Sequence, residues 1–323
     1  MTASRTWITA VVASAAMIGV VVLVETVSGG TQAARAATPV APDTASVRTA
    51  SAKTETTAFT PPDDSAIPNT PFGEQVRLGQ AIFNDTKGQA GQYVGNDLRC
   101  ASCHLDAGRL ANASPLWGAY VEYPAYRAKN KHVNTFAERM QGCFRYSMNG
   151  KAPPLGDKVL VALETYAYFL AKGAPVGKEL EGRGYPTPAK PPLPMDFSRG
   201  AKVFEEKCSL CHGSDGQGQV AHGDVVFPPL WGPRSFNWGA GMSSIKNAAG
   251  FIKGNMPLSQ GNTLSDQEAW DVAVFMDSHE RPQDPRFSKS VEETRAKYHD
   301  SGDMYGETVN GVRLGMTPLK KVP

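Results

Sequence analysis

Two pentapeptides, Cys100-Ala-Ser-Cys-His104 and Cys208-Ser-Leu-Cys-His212, constrain this chain more than any other feature in it. A CxxCH run is the attachment signature of a c-type haem: two sulfurs reach adjacent vinyl positions while the next residue turns under the iron. Cys100, Cys103, Cys208 and Cys211 therefore read as attachment residues, and His104 and His212 as proximal ligands. Two covalently bound haem c groups are expected. A zinc site is the alternative use of such a spacing, but two independent motifs behind an export signal favour haem.

The motifs sit inside an internal repeat. Val76, Gln80 and Phe83 follow helical spacing ahead of the first, and Phe197, Ala201 and Phe204 ahead of the second. Pro115-Leu-Trp-Gly118 is matched by Pro229-Leu-Trp-Gly232. Asp157 is a candidate N-cap for a helix carrying Val159, Leu163, Tyr166 and Leu170, with Gly173 as its stop. Ser265-Asp-Gln-Glu268 is a capping box opening a helix with Trp270, Ala273, Val274 and Met276. A repeat of this kind indicates duplication. The expected fold is all-α: two tandem cytochrome c-type haem domains, 69–173 and 196–285, joined by a Pro-rich linker, 174–195, with a polar tail, 286–323. Whether the tail wraps over the first domain is left open.

Residues Trp7 to Val24 are almost wholly apolar behind Arg5, and Ala34-Arg35-Ala36 offers a cleavage pattern. Residues 1–36 are read as a signal peptide, and 37–68, rich in Ala, Thr, Ser and Pro, as a disordered tether. An uncleaved membrane anchor is the alternative, since about 18 apolar residues can just span a bilayer. Either reading places the folded part in the periplasm, where CxxCH motifs receive haem. The formal net charge of +2 gives no reason to expect a nucleic-acid partner.

Each iron needs a sixth ligand or an open position. In the second repeat Met256 precedes Pro257 just before the capped helix and is preferred over Met242, Met276 and His222. The equivalent place in the first repeat falls at Cys143, the fifth cysteine, with His132, Met140 and Met148 as rivals. Free cysteine is often just a small buried hydrophobe. Against that, Arg127, Arg139, Arg145 and Lys151 surround Cys143 in sequence, and cations stabilise a thiolate and attract anions. A solvated basic face is the alternative for those charges. Thiolate ligation lowers an iron's potential and His/Met ligation raises it, so electrons would enter at the first haem and leave through the second.

These residues resemble the dihaem thiosulfate dehydrogenase / tetrathionate reductase family over about residues 68–285. The resemblance rests on both CxxCH motifs, both PLWG segments, Tyr126-Arg-Ala-Lys-Asn130, the Arg139–Lys151 segment and Asn255-Met-Pro257. It implies His104/Cys143 ligation of the first haem and His212/Met256 ligation of the second. It also implies an active-site Arg139, with Ser147 and Lys151 alongside and Arg127 among the catalytic candidates. Some members have lysine immediately before this methionine; here Asn255 stands there, which excludes that ligand, and Lys253 is a poor substitute. The implied reaction joins two thiosulfates into tetrathionate, reversibly in some relatives. Cys143 would leave the iron to bond a substrate sulfur, and a small periplasmic acceptor such as a cytochrome c would take the electrons.

Three rivals stay open at this point. One is the cysteine-ligated cytochrome subunit of a thiosulfate-oxidising multienzyme complex, which needs a partner chain. Another is a non-enzymatic dihaem electron carrier using Met140 or Met148, with Cys143 inert. The last is a dihaem peroxidase with His132 as distal group.

Overall fold

The computed structural model describes residues 56–299 and 302–316. The expected signal peptide, and the expected disordered tether up to residue 55, lie outside the described residues; the tether's last part, 56–68, is instead ordered, with Thr57 bonded to the backbone of Glu179 and Glu181, Phe59 packed on Trp117 and Ile67 buried. Among the described residues no helix is long and apolar enough to cross a membrane.

In the first half, helix Pro71–Asn84 starts where Thr70 caps it and proline occupies its first turn. It packs on helix Lys158–Leu170, which Asp157 caps as expected through a 2.8 Å bond from the Val159 amide. Val76, Ile82, Phe83, Leu160, Tyr166 and Leu170 are all buried at this crossing. In the second half, helix Phe197–Lys207 packs on helix Asp266–Asp277, opened by the Ser265/Glu268 capping box. The two crossings share one device. A Cβ on Gly79 would lie 2.1 Å from the Ala162 carbonyl oxygen, and one on Gly200 would lie 2.1 Å from that of Asp271. Glycine at both places lets the backbones touch.

Strands are confined to three short antiparallel hairpins among the described residues. They pair 125–127 with 132–134, 219–221 with 224–227, and 308–309 with 312–313. The two halves share a single hydrophobic cluster, which runs from Trp117 and Leu160 to Trp231 and Val272. Buried amides stitch the halves together. Asn96 donates to the carbonyls of Ser147 and Ser235, and Asn237 to the Arg145 carbonyl and the Asn149 side chain. The segment 174–195 follows the surface of each half in turn. Its Gly182 and Gly184 carbonyls accept from Asn112 and Ser114, and its Ala189 carbonyl accepts from the Trp270 indole.

The C-terminal segment, whose course the sequence left open, folds back over the Trp238 loop. Helix Val291–Tyr298 and residues 303–316 form a second small cluster with Trp238, Val291, Tyr305 and Leu314. His299 fastens it: the ring is buried between Asp303 (2.8 Å) and Asp284 (3.1 Å) and stacks on Tyr305. Burial alone would discharge the ring, but bonds and charges from the two carboxylates outweigh it and raise its pKa.

Two predictions follow from this architecture. Gly200→Ala forces the helices apart and should cost about 1–3 kcal/mol, as overpacking does. Denaturant unfolding of the haem-loaded protein measures it, and an unchanged midpoint would show that the crossing can relax. A raised folded pKa means that the stabilisation from His299 is fully present below its unfolded value of roughly 6.5 and fades as pH rises through the folded value. Amide exchange in helix Val291–Tyr298, corrected for intrinsic rate, should therefore accelerate as pH is raised above neutrality. In His299→Gln that pH dependence should vanish.

Candidate active site

Both proximal histidines are set by the same construction. His104 Nδ1 lies 2.7 Å from the Ser114 carbonyl, and His212 Nδ1 lies 3.0 Å from that of Pro228. A carbonyl can only accept, so Nδ1 carries the proton and Nε2 keeps its lone pair, the tautomer a metal needs. Ser114 and Pro228 each stand immediately before a Pro-Leu-Trp-Gly segment. The repeated tetrapeptide thus presents the carbonyl that orients each histidine. Burial lowers the pKa of both rings, which keeps them neutral.

Each histidine faces an apolar cavity that also contains its two attachment cysteines. The first, about 330 Å³, is lined by Cys100, Cys103 and His104 with Phe83, Leu98 and Leu163. The second, about 260 Å³, is lined by Cys208, Cys211 and His212 with Phe204, Leu230 and Val272. All four cysteines are unpaired thiols. Two thiols, an imidazole with a free lone pair and apolar walls are the set a covalently held haem requires. The residues therefore fit haem c in both halves.

Among the candidates for the second sixth ligand, Met242, Met256 and Met276 line the second cavity. Met256 follows directly on helix Ile245–Asn255. His222 is exposed at a hairpin turn. Asn255 donates to the carbonyls of Asn112 and Phe251, and the Lys253 ammonium is tied to the Leu264 carbonyl and to Asp266.

The first cavity is different in charge. Helix Phe136–Gly142, opened by a Thr135/Glu138 capping box, continues into a π-helical turn, Cys143–Ser147. Met140, Phe144 and Met148 are buried. Arg139, Cys143 and Ser147 line the same cavity as those three and are its polar contribution from this helix. The Arg139 guanidinium donates to Cys143 Sγ at 2.9 Å. The negative charge of Cys143 is the main reason the pKa of Arg139 is raised, against burial. A more open cavity of about 580 Å³ adjoins, lined by His104, Arg127, Arg139, Cys143, Tyr123 and Tyr185. A third, of about 600 Å³, lies beyond Arg139 and is lined by Arg127, Lys129, Arg139, Ser147 and Arg286.

Arg127 and Arg139 line all three cavities. Arg127 donates to the Tyr123 hydroxyl, and the Lys129 ammonium to the Gly239 carbonyl. With Arg139 on a sulfur, none of the three forms an ion pair with a carboxylate among the described residues. Met140 and Met148 also line the first cavity. Lys151 is exposed and lines none of these cavities; its backbone amide bonds the Tyr93 carbonyl. His132 sits on a hairpin strand with its side chain 56 % exposed, outside them as well.

Residues 78–176 match the SoxA/TsdA cytochrome c domain model, and residues 196–276 match that of cytochrome c oxidase, cbb3-type, subunit III. The chain is 61% identical over 258 residues to a thiosulfate dehydrogenase of Thiomonas intermedia (strain K12), covering 80% of this chain and 82% of that protein. The chain belongs to the thiosulfate dehydrogenase family. A thiosulfate dehydrogenase of Stutzerimonas stutzeri (strain A1501) is 54% identical over 260 residues, which make up 80% of this chain and 85% of the relative. Among solved structures, thiosulfate dehydrogenase (TsdBA) from Marichromatium purpuratum in its as-isolated form superposes with a TM-score of 0.78 at 51% identity. That match covers 82% of this chain and spans 59% of the length of the other. Both halves are thus cytochrome c domains, and haem c is the cofactor.

The sequence reading passed over several residues that the family fold brings to the site. Lys129 lies within the Tyr126–Asn130 stretch, where a lysine among other cations carries no local signal of a binding role. Tyr185, whose pKa burial raises, and Arg183, paired with Glu122 and Glu179, come from the proline-rich segment. Only its Gly-Tyr-Pro turn could have marked that segment as more than a connector.

Proposed function

We propose that this chain oxidises two thiosulfates to tetrathionate at Cys143, with His104 and Cys143 as ligands of the first haem and His212 and Met256 of the second. The observation that supports it most is the Arg139–Cys143 contact of 2.9 Å in a cavity shared with His104. It pairs the cysteine sulfur with a cation that forms no ion pair with a carboxylate among the described residues.

When bound, haem c would supply a pair of one-electron sinks, and His/Cys ligation by His104 and Cys143 would set the first at lower potential than His/Met ligation by His212 and Met256 sets the second. The chain's own residues do the rest. Cys143 Sγ forms a sulfur–sulfur bond with the outer sulfur of one thiosulfate, giving Cys–S–S–SO3⁻ and releasing two electrons. The outer sulfur of a second thiosulfate then attacks that sulfane sulfur. The bond to Cys143 breaks, its electron pair returns to Sγ as thiolate, and tetrathionate leaves. Two dianions must approach one another, and Arg139 and Arg127 offset their repulsion. Tetrathionate reduction is the same path reversed. Ser147 borders the first cavity and can donate to a sulfonate oxygen. Lys151 would act at longer range, on the approach of the anions.

The test is spectral. Anaerobic thiosulfate should reduce the oxidised protein, and tetrathionate should reoxidise it; indifference to both would remove the reading. Cys143→Gly should keep both haems and lose the reaction, whereas an active Cys143→Gly protein would exclude covalent catalysis. Arg139→Ala should lower kcat/KM on the order of 10²-fold, as loss of a charge-stabilising donor does. Its haem spectra should stay nearly unchanged; their collapse would make Arg139 structural.

A further inference from the structure

We infer that the cavity beyond Arg139, between the hairpin that carries Lys129 and the C-terminal segment, is a second oxyanion site that holds the attacking thiosulfate. The inference rests on the reaction proposed above and adds where its second substrate waits.

The cavity, about 600 Å³, meets the Cys143 cavities at Arg127 and Arg139, which line all of them. Its far wall carries cations from parts of the chain remote in sequence: Lys129 from the hairpin, Arg286 and Lys297 from the C-terminal segment. Lys129 and Arg286 lie over the same Tyr146 ring, at 4.4 and 5.1 Å from its centroid. Gathering like charges is costly unless something compensates them. Arg286 is compensated by Asp284 at 2.6 Å. Lys129 has no ion-pair partner among the described residues: its contacts are the Gly239 carbonyl and the Tyr146 ring, and the charge of Asp284, which already pairs with Arg286, offsets burial and the neighbouring cations only in part. Burial, followed by the charge of Arg286, pushes its pKa down to about 8. The two carboxylates on the lining are committed elsewhere, Glu138 to the Thr135 cap and Asp303 to His299.

A half-buried ammonium in polar, cationic surroundings is complementary to a small dianion. The chemistry needs such a place. The second thiosulfate must bring its outer sulfur to the sulfur held on Cys143 while its own sulfonate points away. Its attack forms one sulfur–sulfur bond, breaks the one to Cys143 and transfers no net electrons. A sulfonate anchored by Lys129 beyond Arg139 lets the outer sulfur face Cys143 from the side opposite the first sulfonate.

Haem-loaded Cys143→Gly protein, which cannot turn over, is titrated with sodium sulfate by calorimetry, alone and combined with Lys129→Gln or Lys129→Arg. Sulfate binding should weaken about tenfold or more with Lys129→Gln, and Lys129→Arg should restore it. In the otherwise native protein, Lys129→Gln should leave formation of the Cys143–thiosulfate adduct intact when one equivalent is supplied, as read by intact mass. It should slow release of tetrathionate when excess thiosulfate is added, so that the adduct accumulates. Unchanged sulfate affinity with Lys129→Gln, or tetrathionate release at the native rate, overturns the second site and leaves thiosulfate oxidation standing. Failure of native protein to accept electrons from thiosulfate overturns the parent reading, whatever the sulfate titration shows. Matching haem spectra and circular dichroism across the variants exclude a folding defect, and the arginine variant separates loss of charge from loss of packing.

Discussion

A cysteine sulfur that is to act as a nucleophile is served by a neighbouring cation, and Arg139 meets Cys143 at 2.9 Å. The local fold secures that contact by spacing. Arg139, Cys143 and Ser147 recur every four residues, as do Met140, Phe144 and Met148 one position on. Both sets line the first cavity; the second is buried and pins the helix, and the first brings the polar groups. A regular α-helix would rotate such four-residue stripes steadily away from a fixed face. The π-helical turn Cys143–Ser147 takes in the extra residue, so that Ser147 still faces the side occupied by Arg139. The Thr135/Glu138 capping box fixes where the helix begins, and hence which residues meet the cavity.

Duplication explains why the scaffold is repeated and the chemistry is not. Glycine at both helix crossings and a carbonyl ahead of both Pro-Leu-Trp-Gly segments give two cavities with equivalently oriented histidines. The first cavity then gained Cys143 and cations without carboxylate partners. In the second, Lys253, the lysine next to the candidate ligand loop, is tied down by the Leu264 carbonyl and Asp266. Most of that cavity's lining is apolar.

Features of the sequence that act through covalent spacing or neighbouring residues were legible. The CxxCH motifs, the Asp157 cap and the Ser265/Glu268 box all appear where local rules put them. The pairing of Arg139 with Cys143 follows from a four-residue helical spacing. What was not legible depends on placement across the chain. Nothing local says that Gly79 faces a carbonyl at position 162, or that Tyr185 closes a cavity around Cys143. Nor does composition reveal that the polar tail carries a buried His299, because the carboxylates that make its burial tolerable come from positions 284 and 303. Two expected tandem units also turn out to share one hydrophobic cluster. Hydrophobic periodicity shows which side of a helix is buried, and leaves open whose core it enters.

Charge compensation varies across the molecule in a way that matches these roles. At the end of the second domain Arg281 pairs with Asp277, and where the C-terminal segment docks Arg286 pairs with Asp284 and His299 with two carboxylates, all with little exposure. Breaking such buried pairs leaves an uncompensated charge, so they hold the segment firmly in place. Beside Cys143 the pattern changes: Glu122 and Glu179 on the cavity wall pair with Arg183, and Arg127, Lys129 and Arg139 form no ion pair with a carboxylate among the described residues. Lys129 has a carbonyl and a ring, Arg127 a phenol, and Arg139 a sulfur. A fold stabilised only for itself would have paired these cations as it paired those of the tail. Leaving them unpaired raises the energy of the empty site and lowers that of any state in which small dianions occupy it, which is the condition for bringing two of them together.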